Sequence, residues 1–183
     1  MSDIGTWRRS VPRAVAAGLV ALLVCGSAVS AAALTGERTK RMALTPCAAG
    51  GLVTWLNTSG SGALGTIYYD VEFTNLSGHT CTLRGYPGIS GISLSGAQLG
   101  SAAGRTSTTP VRTITLQAGK TAVAMLGIVE VGNFPAAKCH PTTAAGLRVY
   151  APNQTASRTV PYPFGACAKA GETYLFVQAV KAA

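Results

Sequence analysis

Behind a basic, apolar N-terminus the chain carries four well-separated cysteines, Cys47, Cys81, Cys139 and Cys167. An even number of cysteines in an exported domain reads as two disulfides. A zinc site would need closely spaced ligand pairs, and no C-x-x-C is present. Four cysteines allow three pairings, of which Cys47–Cys81 with Cys139–Cys167 is favoured. That pairing would tie the first strand to the segment around Cys81, and a late loop to the last strand. Each bridge is worth about 2–4 kcal/mol, largely by restricting the unfolded chain.

The case for an oxidising compartment comes from the leader. Arg8, Arg9 and Arg13 precede an apolar stretch from Ala14 to Val24, and small residues follow. Positive charge, a short apolar helix and a small-residue cleavage site make a secretory signal. Ala28-Val29-Ser30 and Ala31-Ala32-Ala33 both fit the cleavage pattern. The uncharged run continues to Leu34, about 21 residues, enough to cross a bilayer if it is retained. Cys25 offers a third fate, lipid attachment, although Val24 stands where a lipoprotein box has a small residue. All three fates put Cys47 onward outside the cytoplasm, secreted or anchored to the outer face of the membrane. Residues 1–35 are therefore read as a signal peptide or membrane anchor, 36–46 as a charged linker and 47–183 as the exported domain. Membrane contact is expected only through the N-terminal segment, where it is retained.

Periodicity supplies the fold class. Ile67, Tyr69, Val71 and Phe73 alternate with Tyr68, Asp70, Glu72 and Thr74, the period of a half-buried strand. Val111 to Leu116 alternates likewise, and Gln117 to Lys120 reads as a turn. The following run, Thr121 to Val131, is apolar on both faces, as a mid-sheet strand requires. Segments from Leu147 and from Thr173 complete the strong strands, while Gly51–Leu56 and Ile89–Leu94 give weaker ones. The only helical expectation is one turn in "NFPAAKCHP". Short strands separated by Gly and Pro clusters predict an all-β chain, a sandwich of two antiparallel sheets.

Asn75-Leu76-Ser77-Gly78 reads as a turn leading into a short strand around Cys81, and Gly85-Tyr86-Pro87-Gly88 as a bend leading out of it. The stretch "FTNLSGHTCTLRGYPGI" resembles the actinobacterial domain of unknown function numbered 4232. So do the earlier cysteine, the "LQAGKTA" turn and the two late cysteines. The resemblance runs from about Thr45 to Ala179. It implies an immunoglobulin-like β-sandwich of secreted or envelope-anchored proteins, and it brings no activity, substrate or catalytic residue.

Charge narrows the partners. The net +9 includes two charges from the leader and two from the linker, leaving +5 on the domain. These basic residues are scattered, without an Arg/Lys run interleaved with aromatics, so nucleic acid is not expected as a ligand. The partner is unknown; an envelope polymer or envelope protein suits the charge.

Catalytic and metal chemistry have thin support. His79 and His140 are the only histidines. A hydrolase would need one of them beside Asp70 or Glu72 and a nucleophile, and no G-x-S-x-G elbow occurs. With Met125 the two histidines could in principle hold copper. Solvated loop histidines are the simpler reading, so no catalytic residue, metal or cofactor is assigned. Asp70 and Glu72, about 7 Å apart on one strand face, read as a wetted surface. The contact residues expected are Tyr86 and Pro87 in the first bend, and Tyr162 and Phe164 in "VPYPFGAC", read as an extended loop. Packing of that loop onto the sandwich end is the plainer role for it. Three N-x-S/T sequons, at Asn57, Asn75 and Asn153, agree with surface turns. The chain is expected to be a non-catalytic binding or structural module, with an envelope hydrolase or a metal-binding protein as alternatives.

Overall fold

The computed structural model describes residues 44–183. The leader, Cys25 and the linker up to residue 43 lie outside the described residues. Among those described, no helix is long and apolar enough to cross a membrane. The first half of the domain contains β1 (Leu52–Ala63), β2 (Thr66–Asn75), β3 (Cys81–Arg84), β4 (Gly88–Ile92), β5 (Gln98–Leu99) and β6 (Gly104–Arg105). The second half contains β7 (Thr113–Leu116), β8 (Thr121–Val129), β9 (Pro141–Tyr150), β10 (Ser157–Cys167), β11 (Leu175–Val177) and β12 (Lys181–Ala182). One helical turn, α1 (Ala136–Cys139), falls inside the "NFPAAKCHP" segment.

The strands form three sheets rather than two. One runs β1-β2-β8-β11-β6 with β12 also on β8, a second runs β10-β9-β4-β5, and β3 pairs with β7 alone. All pairings are antiparallel except β6 with β11. The extra two-stranded sheet carries Cys81, opposite Leu116 of β7 and bridged to Cys47.

Alternation places the core. Val71 and Phe73 of β2 point inward beside Ala122, Ala124, Leu126 and Ile128 of β8, and Leu147, Val149 and Ile89 come from the second sheet. Phe73 stands opposite Ala122 and Val71 opposite Ala124, so large side chains meet small ones across the strand pair. The doubly apolar run at Thr121 does become a mid-sheet strand, flanked by β2 on one side and by β11 and β12 on the other.

Both favoured disulfides form, Cys47–Cys81 and Cys139–Cys167. Such bridges are the product of an oxidising environment. They lie at opposite ends of β2. The first is beside the end of β2, where Cys47 N–H donates to Thr82 O and Asn75 N–H to Lys120 O. The second is near its start, where Gly65 O accepts from Glu130 N–H ahead of α1. One detail differs from expectation: Cys167 closes β10, and β11 and β12 still follow.

The turn after β2 is built around Asn75. Its Oδ1 accepts from Ser77 N–H (3.0 Å) and Ser77 Oγ (2.6 Å), while its Nδ2 donates to His79 O (2.8 Å) and Leu116 O (2.9 Å). The side chain is 0% exposed. The sequon at Asn75 is therefore not a surface position, because the amide is consumed in tying the turn to β7.

Candidate binding surfaces at the two ends of the domain

"VPYPFGAC" is not a loop. It belongs to β10, paired with β9 and shifted in register between Pro161 and Phe164. Proline removes a ladder donor, which an edge strand tolerates, and β10 is the edge of its sheet. Tyr162 Oη donates to Tyr69 Oη of β2 at 2.6 Å, and the rings meet edge to face with centroids 5.2 Å apart. Phe164 stacks on Tyr162 at 6.2 Å and reaches Tyr174 at 6.3 Å. Tyr162 and Phe164 thus do pack against the core, with their remaining surface lining a depression of about 440 Å³ beside Ile67, Glu130 and Val131. Burial pushes the Tyr69 pKa up to about 12. A phenol held neutral in this way offers a hydrogen bond and an apolar face, not a base.

Tyr86 and Pro87 lie at the other end, so the four expected contact residues do not form one surface. Pro87 is buried, because the bend feeds directly into β4, whose Ile89 is core. It is not available for contact. Tyr86 is half-buried, with the Arg105 guanidinium 5.5 Å from its ring centroid. These two, with Tyr150, Asn153, Gln154 and Thr155, line a shallow depression of about 480 Å³.

The candidate chemical groups are not brought together. His79 is exposed, with Nδ1 3.1 Å from Ser77 O in the turn after β2. His140 is exposed just after α1 in a left-handed conformation (φ 49°), at the opposite end. β2 separates the two ends, and its ten residues span roughly 30 Å. Asp70 stands mid-strand opposite Asn57 and Met125, and Glu72 accepts from Asn57 Nδ2 at 3.1 Å. Among the described residues no three His, Cys, Asp or Glu side chains converge as a metal site would require. Trp55 is 47% exposed on β1, opposite Glu72.

Two participants carry no local signal in the sequence. Tyr69 reads only as an inward residue of β2, and its partner is 93 residues away. Arg105 lies in a Ser/Thr/Gly-rich stretch, and its strand exists only by pairing with β11.

These features define a class: an all-β, layered domain stapled by a disulfide at each end and carrying aromatic-lined depressions. The chain belongs to the family described as "Domain of unknown function (DUF4232)", which it matches over residues 47–181. No curated protein and no solved structure matches it.

Proposed function

We propose that this protein is an extracytoplasmic, non-catalytic binding module of the cell envelope, secreted or held at the outer face of the membrane. The observation that carries the reading is the Tyr69–Tyr162–Phe164 group. Its rings are fixed across two sheets by a hydroxyl–hydroxyl bond and stacking, and they border an open depression. Rigid aromatics bind at low entropic cost, because little rotamer freedom is left to lose. The two disulfides and the export-type leader support the compartment.

The test is retention of the exported protein on isolated envelope fractions, with a Tyr162→Ala/Phe164→Ala variant alongside. Retention of the parent and a marked loss in the variant are expected. Failure of the parent to bind any fraction refutes the reading. Intact mass of the exported protein reads cleavage, lipidation at Cys25 and disulfide number in one measurement.

A further inference from the structure

We propose that the depression at the Cys47–Cys81 end is an oxyanion subsite, in which Arg105 grips a phosphate or carboxylate group on an anionic envelope polymer. The inference rests on the binding-module reading and names the chemical class of its ligand.

Charge is segregated within the domain. Residues 44–183 contain five arginines and four acids. Arg84, Arg105, Arg112 and Arg158 all lie at this end. Arg84 closes β3, opposite Thr113, which directly follows Arg112. Arg158 donates to Ala49 O, whose own N–H donates to Gln154 of the depression. None of the acids is here. Asp70 and Glu72 face outward from the middle of β2, Glu130 sits against the turn after β1, and Glu172 precedes β11. Four arginines without an acidic side chain at the same end present a positive field to a polyanion.

Arg105 is the member of this group that lines the depression. Its guanidinium is exposed and lies over the Tyr86 ring. Stacking of this kind restrains the planar fork while leaving its N–H groups free for a bidentate oxyanion. The far wall is equally restrained. Tyr150 lies against Gly88, where an added Cβ would touch its ring at 3.5 Å. Asn153 adopts a left-handed conformation (φ 59°) and donates to Arg84 O at 3.0 Å. Asparagine tolerates that region in turns, and the bond to Arg84 O ties this wall to β3. Tyr86, Tyr150, Gln154 and Thr155, which carry neutral polar groups, line the same depression.

The test uses the full chain in neutral detergent, with binding followed by calorimetry. Three probes are compared: a glycerol-phosphate oligomer, a galacturonate oligomer and neutral dextran. At least one anionic probe is expected to bind, more weakly as salt rises, and dextran is not. Preference for the first identifies a phosphate source and for the second a carboxylate source. Arg105→Ala should weaken binding about ten-fold or more, the loss expected for a charged hydrogen-bonding group. Arg105→Lys should recover only part of it, because the ammonium lacks the fork. Lys138→Ala, which removes an exposed positive charge on α1 at the other end, should leave anion binding unchanged. Equal binding by Arg105→Ala and parent, or by dextran and the anions, overturns the subsite. Retention on envelope fractions without response to either anion also overturns it, while leaving the binding-module reading intact.

Discussion

Tyr162 donates its phenolic hydrogen to Tyr69 across the space between the two larger sheets, oxygen to oxygen at 2.6 Å. The bond joins an edge strand to an interior one and fixes where both rings face. Beneath it Phe164 leads on to Tyr174, which is fully buried and donates to Leu99 O.

This chain of phenols makes stability sensitive to alkali. Tyr69 and Tyr174 are each pushed by burial from 10.0 to about 12. The unfolded chain releases these protons near 10.0 while the folded chain keeps them to about 12. Their contribution is therefore intact below pH 10 and is lost as pH rises toward about 12. Urea midpoints across that window should fall with pH. Tyr69→Phe and Tyr174→Phe should each flatten the fall, at a cost near neutral pH of about 1 kcal/mol for the lost hydrogen bond. A slope unchanged in both variants would refute the assignment.

The fully buried amide of Asn75 makes four hydrogen bonds, three within its own turn and one to Leu116 of β7. Asn75→Ala leaves the Leu116 and His79 carbonyls without their donor and should cost about 2–3 kcal/mol. Asn75→Asp should be at least as damaging, since a carboxylate would face those same carbonyls. Thermal unfolding of the two variants measures both.

Gly91 of β4 lies under the Tyr174 hydroxyl, where an added Cβ would overlap that oxygen and crowd Phe164 Cζ at 3.3 Å. Gly91→Ala should displace Tyr174, break its bond to Leu99 and destabilise the domain by about 1–3 kcal/mol. A neutral result in chemical denaturation would show that Tyr174 has room to move.

The histidines are the control for the chemistry set aside. His79 and His140 occupy exposed turns at opposite ends of β2. The His79→Ala/His140→Ala variant should keep parental retention on envelope fractions and parental stability to within about 0.5 kcal/mol. Loss of retention would reopen a histidine-dependent function.

The strands that could be read from sequence are those with one wet and one buried face. β2 alternates because Val71 and Phe73 enter the core while Asp70 and Glu72 stay outside, and β8 is apolar throughout because it lies mid-sheet. β10 hid behind two prolines, which argue against a strand until its edge position is known. The outer half of β1, Asn57 to Ala63, has no apolar rhythm because that half packs little against the core. At the candidate sites, Tyr86, Tyr162 and Phe164 were identifiable as aromatics beside turn-forming residues. The burial of Pro87 carries no sequence signal, because it depends on the path into β4. Tyr69 and Arg105 could not be found at all, since each acquires its role from a strand brought alongside by the fold.

The bridged cysteines are consecutive in the chain, 34 and 28 residues apart, so neither loop encloses or interleaves with the other. For a polypeptide oxidised as it emerges N-terminus first, each thiol's native mate is the next to appear. Correct pairing then follows from order of arrival, without an isomerase to undo mistakes, and a circular permutation opening the domain between Cys47 and Cys81 would nest one bridge inside the other and remove that advantage while leaving the folded contacts in place.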